Sequence, residues 1–275
     1  MAIERQTKHG VRHYFDTNDP QRLLPGVTSI LDMLPAKFLQ RWNADMAADR
    51  ALASIDYLQR MADTSPRDAK RWVAGAAYAH MKARGDIGSK AHDMFEKMIR
   101  GISVGYVHSD MEPYRRQFQE FIDSVHPELF RAEDVAWSNT HGYVGSFDAL
   151  LWLRLDAAGR YDPSAERGLY MVDWKTSKRN NVKVALQLSA YANADLLVTA
   201  DGDAEPMPKV AGAYVLHITE DQWTFPPVDI GADVFAHFLH LRQTFVWENE
   251  LSKTVIGKAQ YGSKQFISGT ERRAQ

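Results

Sequence analysis

Apolar residues recur along this chain at two different periods, and the change from one to the other falls near Glu133. In the first third the spacing is helical. From about Phe38 to Met61, the residues Phe38, Trp42, Met46, Leu52 and Ile55 recur among alanines, three to four or more positions apart, as one face of a helix requires. Thr64, Ser65 and Pro66 interrupt this pattern, and Asp68 to Arg84 resumes it with Trp72, Ala76 and Ala79. Gly85 and Gly88 predict a break, with Ser89 capping a new helix from Lys90 to Arg100 that Gly101 closes. Another helix is expected from about Glu112 to Ser124. Ahead of these the pattern predicts only a short extended start at His13, Tyr14 and Phe15 and a turn at Pro25 and Gly26.

Beyond Glu133 the period shortens to two. EDVAWS alternates, and after a turn at Asn139–Gly142 comes VGSFDALLWLRLD, a strong strand signal. A polar stretch, AAGRYDPSAERG, separates it from a second strand, LYMVDWKTS. Val184 to Val198 is helical in period, AGAYVLHITE reads as another strand, and Ala232 to Glu250 as a final helix. The order predicts a mixed α/β (α+β) core sheet flanked by helices, with a helical N-terminal lobe. The expected divisions are a mainly helical lobe over 1–84, the core over 85–250 and a polar tail over 251–275.

Composition narrows the function classes. With 275 residues, 45% hydrophobic and 25% charged, the chain is long enough for a substantial core and is not biased toward disorder. There is no cysteine, which excludes disulfides, thiolate zinc, iron–sulfur clusters and a thiol nucleophile. The N-terminal residues do not read as a secretory signal, and no apolar run approaches bilayer length, so a cytoplasmic protein is expected. The net charge of −2 is less basic than usual for a nucleic-acid binder. A cleft can still gather cations locally, and Lys175, Lys178, Arg179 and Lys183 are candidates, with Arg115 and Arg116 elsewhere, although such clusters are more often a solvated face. Trp152, Trp223 and Trp247 read as core or helix-packing residues, and no phosphate-binding G-x-x-x-x-G-K-[ST] is present.

Candidate chemistry sits on the two central strands. Alternation puts Asp173 and Lys175 on one face with Met171, and Val172 and Trp174 on the other. If the strands form a hairpin through 157–168, Asp148 lies within a few residues of Asp173. Two converging carboxylates repel unless a cation lies between them, and Mg²⁺ or Mn²⁺ takes such oxygens. The plainer reading of Asp173 and Lys175 is a surface salt bridge. Four flanking features weigh against it. Gly145-Ser146-Phe147-Asp148 puts a small residue before the acid, to let the backbone turn tightly. Gln187 and Tyr191 share a helical face. Gly88-Ser89-Lys90-Ala91-His92 places a histidine in the first turn of the expected helix, and Thr176-Ser177 follows the lysine with hydroxyls suited to phosphate. Glu133 reads equally as support for a metal shell or as a surface acid, and is not counted in the site.

Together, G-S-x-x-H, G-S-F-D, D-W-K-T-S and Q-L-S-A-Y resemble the RecB-type branch of the PD-(D/E)xK nucleases, which includes phage exonucleases and CRISPR-adaptation nucleases. The motifs span roughly residues 85–200 in that family's order, and LPGVTSIL with the tryptophan-bearing helix after it is similar to the exonuclease-like members. No proline precedes Asp148, a departure common in that branch, and the cluster-binding cysteines of some relatives are missing. The resemblance implies a restriction-endonuclease-like core and metal-dependent DNA hydrolysis, as an exonuclease, with one or two Mg²⁺ or Mn²⁺ ions. By it Asp148, Asp173, His92 and the Trp174 carbonyl hold metal, Lys175 orients the attacking water, and Gln187, Tyr191, Thr176 and Ser177 hold the motif and the substrate backbone. DNA, with recombination or repair proteins, would be the partner, in a bacterial or phage-infected cell. The alternatives are an inactive nucleic-acid-binding protein of the same fold and a phosphoesterase acting on smaller substrates.

Overall fold

The computed structural model describes residues 1–8, 10–36, 38–177 and 181–257. Lys178 and Arg179, two of the candidate cations, and most of the expected polar tail lie outside them.

The chain opens differently from expectation. Ile3–Lys8 (β1), Val11–Asp16 (β2) and Asp19–Pro25 (β3) form an antiparallel meander ahead of the first helix. Its outer strand, IERQTK, is exposed along most of its length, so it lacks the apolar alternation that marks a half-buried strand. Gly10, at φ +79°, takes the left-handed conformation that the β1–β2 turn requires. The meander is anchored at its far end, where Leu24 packs with Trp137, Val144 and Val198.

Val27–Leu31 (α1), Phe38–Ala53 (α2), Ile55–Thr64 (α3), Pro66–Ala74 (α4) and Ala76–Ile99 (α5) follow. The apolar period from Phe38 to Met61 marks helix, but the run breaks at Ser54 into α2 and α3, and it gives no buried face, since Phe38, Leu52 and Ile55 are 70%, 72% and 58% exposed. These helices pack on one another through aromatic contacts, with Arg50 and Tyr57 against Trp72 and Trp42 against His80. The break expected at Gly85 and Gly88 is not there. Helix α5 runs straight through both glycines, so Ser89 caps nothing and His92 lies deep in the helix. Each internal glycine costs about 1 kcal/mol of helix propensity. Burial of Ala91, Met94 and Phe95 one to two turns later offsets it.

After Glu112–Val125 (α6) come Glu128–Ala132 (β4), Val135–Ser138 (β5), Tyr143–Ser146 (β6), Ala149–Arg154 (β7) and Arg167–Lys175 (β8). Lys183–Ala192 (α7), Leu196–Val198 (β9), Ala204–Pro206 (β10), Gly212–Ile218 (β11), Trp223–Thr224 (β12), Pro227–Val228 (β13) and Ala232–Asn249 (α8) complete the core, and Leu251–Lys253 adds a 3-10 turn. The central sheet has the order β12-β11-β8-β7-β4, with β13 also on β11. Strands β8 and β11 are parallel, and α7 lies in the crossover that such a pair needs. A second sheet has the order β10-β9-β5-β6.

Both faces of the central sheet are covered, and strand alternation sorts the residues. Leu150, Leu169, Met171, Ala213 and Val215 pack with α1, α7 and α8. Leu151, Val172, Trp174, Tyr214 and Leu216 pack with Phe95 of α5 and Phe118 of α6. The result is a mixed α/β core of helices on both sides of a sheet. Trp152 and Trp223 pack against it as expected, whereas Trp247 is 48% exposed on the outer side of α8. None of the described helices is long and apolar enough to cross a membrane.

Candidate functional site

The segment VGSFDALLWLRLD, expected as one strand, is two strands in two different sheets, and Phe147–Asp148 is the corner between them. Its partner segment turns the same corner. The pairing runs through unbroken, with Ala132 opposite Ala149 on one side and Val135 opposite Ser146 on the other, so Glu133 stands opposite Asp148. Two backbone bonds tie the corner, Glu133 N–H to the Asp148 carbonyl at 3.1 Å and Phe147 N–H to the Asp134 carbonyl at 3.1 Å. Glu133 takes φ +58°, a left-handed conformation that a non-glycine residue adopts only where the surroundings hold it.

On the other side of Asp148 lies β8. Ala149 pairs with Val172, which brings Asp173 alongside Asp148 as the hairpin predicts. The ladder gives out here, and the Asp148 carboxylate takes the next donor itself: Trp174 N–H gives a hydrogen bond to Asp148 Oδ2 at 2.6 Å. The other oxygen, Oδ1, faces Nδ1 of His92 at 3.4 Å. The His92 ring is held edge-on to Trp174, which itself packs on Phe95 and Phe118. One ligand atom from each of His92, Glu133 and Asp148 lies within 4.8 Å of the others. An imidazole nitrogen and two carboxylates suit a divalent cation from Mg²⁺ to the first transition row.

Asp173 is 2% exposed, and its Oδ2 lies 2.5 Å from Lys175 Nζ. The contact is off the angle of a good hydrogen bond, so this buried oxygen has a charge partner but an unsatisfied lone pair. The pair is not the surface salt bridge of the plainer reading. Burial raises the Asp173 carboxyl, and the Asp148 charge raises it further against the pull of Lys175. Burial also works to raise Asp148, but the bond to His92, the His92 charge, Lys175 and the Trp174 amide together hold it low. For His92, burial lowers the imidazole, and the bond and charge of Asp148 more than reverse this, leaving it raised. Glu133 is pushed up to about 7 by desolvation and then by Asp148. The cluster therefore carries more negative charge than it can accommodate alone.

The remaining expected residues surround this centre. Gln187 Nε2 donates to the Tyr191 hydroxyl at 3.2 Å on the inner face of α7. Tyr191 is buried, and burial raises its hydroxyl, with the nearby carboxylates of Asp148 and Asp173 adding to the effect. Gly145 does not serve the turn assigned to it. It lies within β6, and a side chain there would come within 2.6 Å of the Tyr191 ring, so glycine makes room for that ring. Thr176 borders α5, its hydroxyl 3.6 Å from where a Cβ on Gly88 would sit. The Ser177 carbonyl accepts a hydrogen bond from Nε2 of His217, which pairs with Lys175 in the sheet. Lys183 lies 3.9 Å from Asp32, just beyond α1, and Arg115 is paired with Glu112 at 2.6 Å.

Glu133 is the residue that sequence reasoning passed over. The signal was present in the four-residue turn Asn139–Gly142: Ser138 pairs with Tyr143 across it, and counting back along both strands sets Glu133 against Asp148. His217 had no such signal, since its place depends on the parallel pairing of β11 with β8. Two hollows meet at Glu133. One of about 510 Å³ is lined by Gly85, Gly88, Ser89, His92 and Glu96, and the other, of about 620 Å³, by Arg5, Tyr14, Ser146 and Thr199. No protein-family model matches the chain, and no curated protein matches it significantly in sequence.

Proposed function

We propose that the chain is a metal-dependent DNA nuclease with the PD-(D/E)xK core, acting as an exonuclease through the centre at Asp148. The observation that carries this reading is the juxtaposition of Glu133, His92 and Asp148 with the buried Asp173–Lys175 pair at the end of β8. Acids in that row repel one another, and a divalent cation bound among them relieves the repulsion. The donor set fits Mg²⁺ or Mn²⁺, with the Trp174 carbonyl as a further candidate ligand. When bound, such a cation polarises a scissile phosphate and makes a water acidic enough to attack it.

The chain's own groups do the rest. Lys175, 28% exposed, sets a positive charge where the phosphate oxygens gain negative charge and orients the water. Asp173 fixes that ammonium. The Trp174 amide and His92 hold the Asp148 carboxylate in one orientation from two sides. Behind them Trp174, Phe95 and Phe118 form an apolar wall that keeps water from the far side of the centre. Tyr191 and Gln187 brace the Asp148 corner, and Thr176 and Ser177 lie where the strand ends, suited to contact the phosphate backbone. DNA is the substrate in this reading.

The test is digestion of end-labelled DNA beside RNA, free nucleotides and a small phosphodiester, each in Mg²⁺, Mn²⁺ and excess EDTA. Cation-dependent shortening of DNA supports the proposal. Cleavage of the small esters alone would identify a phosphoesterase, and binding without cleavage an inactive nucleic-acid binder.

A further inference from the structure

Helix α5 carries a second groove beside the centre. Residues Gly85, Gly88, Ser89, His92 and Glu96 face the cleft, while Lys90, Met94 and Lys97 face a hollow of about 250 Å³ closed by the segment after the helix. Asp93 borders both hollows and stands on the helix ridge between them. Its floor is apolar, with Met94, Val104, Val107 and Met111, and its rim holds Lys90, Lys97 paired with Asp93, and His108 beside Asp110. Tyr106 stands on that rim 90% exposed, next to Gly105 at φ +63°. Lys97 is paired with Asp93 at 2.7 Å, but an ammonium has three donors and keeps others for a further acceptor. Lys90 makes no ion pair among the described residues.

An exposed aromatic ring beside ammonium groups matches what a single nucleic-acid strand presents, a base face and a phosphate. A peptide could use the apolar floor, but the exposed Tyr106 ring beside the Lys90 ammonium offers a stacking face and a charge side by side, as a nucleotide needs. Resting on the nuclease reading, we infer that this groove is an accessory binding site for an unpaired strand of the DNA substrate. A base stacks on Tyr106, and Lys90 and Lys97 hold the phosphates that flank it.

The experiment is fluorescence anisotropy with oligothymidylates of about five and about fifteen nucleotides, in Ca²⁺ to hold the cleft without turnover. Wild type binds the long strand more tightly than the short one. Tyr106→Ala weakens the long strand about tenfold and leaves the short one unchanged, as loss of one base–aromatic stack would. Tyr106→Phe keeps the affinity, since it keeps the ring. Lys90→Ala lowers the salt dependence of long-strand binding by about 0.7 in the log–log slope. Because Tyr106 is exposed, its replacement leaves the melting temperature in place. Equal long-strand affinity in wild type and Tyr106→Ala overturns the inference, whether or not the groove captures a peptide, and so does an equal loss for both lengths. If wild type neither binds nor cuts DNA, the nuclease reading itself fails. If it cuts DNA and Tyr106→Ala binds normally, only the accessory site fails.

Discussion

Glu133 and Asp148 stand opposite one another where a two-stranded ribbon leaves the central sheet for the second sheet, joined by the Glu133 N–H to Asp148 carbonyl bond. That corner explains why the centre is here. A ribbon that changes sheets must bend, and the bend aims opposite side chains into the gap it opens. Asp173 on the next strand completes a row of three carboxylates across β4–β5, β6–β7 and β8.

The row makes metal-free stability depend on pH. Glu133 is exposed on one side, yet its carboxyl is raised from 4.5 to about 7, so it favours the fold modestly while it holds its proton. That contribution is complete below its unfolded value and is lost as pH rises through about 7. His92, also raised, acts in the same direction. Asp148, held low, acts oppositely, but its contribution is lost only at acid pH, below the usual carboxylate value of 3.8. Asp173, buried and raised to about 7, acts the same way as Glu133, so melting in EDTA should fall from about pH 5 to about pH 8, and Glu133→Gln should lessen that slope without removing it. Added Mn²⁺ should restore stability at the higher pH and do little at the lower one, since protonated ligands do not bind it.

Asp173 and Lys175 should separate by role. Asp173→Ala should abolish cleavage. Lys175→Ala should cost on the order of a hundredfold or more in turnover, as loss of a charge aimed at the transition state does, while Mn²⁺ affinity stays close to wild type. Steady-state kinetics with a parallel Mn²⁺ titration checks both, and equal loss of metal affinity in the two variants would mean that Lys175 is misassigned.

Gly145→Ala should act through Tyr191. The added methyl meets the ring at 2.6 Å, and the ring is buried with little room to move. A loss of about 1–3 kcal/mol is expected from such overpacking, together with reduced turnover as the Asp148 corner shifts. Gln187→Ala removes one half-buried bond of 3.2 Å and should cost about 1 kcal/mol, with a smaller kinetic effect than Asp148→Ala. Thermal melts and rates on the same preparations decide it.

His92 supplies the only nitrogen among the grouped ligands. Imidazole favours transition metals over Mg²⁺, so wild type should bind Mn²⁺ more tightly than Mg²⁺ and His92→Ala should narrow the difference. Its contact with Trp174 means that the variant will also melt lower, so the discriminating quantity is the ratio of the two affinities. An unchanged ratio would remove His92 from the centre.

Much of the site was legible because it sits on strongly patterned strands. Alternation alone placed Asp173 and Lys175 together with Trp174 behind them, and the hairpin brought Asp148 to Asp173. The change of sheet was not legible: Gly145 suggested a turn before the acid, but it lies inside β6, and strand-forming residues continue on both sides of Phe147–Asp148. Glu133 was weighed and set aside, because its type alone does not separate a shell residue from a surface acid; its register against Asp148 does. The N-terminal meander was missed because its outer strand buries almost nothing, and the continuity of α5 because packing of Phe95 and Met94 outweighs two glycine penalties. In α2 the helical period was real, yet none of its residues is fully buried, and Phe38 and Leu52 are exposed, since period reports the helix and only tertiary contact reports burial.

The most direct test is cleavage of end-labelled DNA by wild type and Asp148→Ala, each in Mn²⁺ and in excess EDTA, with Mn²⁺ binding measured on the same samples. Asp148 is bonded to Glu133 and Trp174, faces His92, and repels the charge of Asp173 on the next strand. Wild type should cut only with the cation, and Asp148→Ala should neither cut nor bind Mn²⁺ at wild-type affinity. Cleavage that persists in EDTA, or an Asp148→Ala protein that cuts and binds Mn²⁺ as wild type does, would contradict a metal-dependent nuclease centred on this residue.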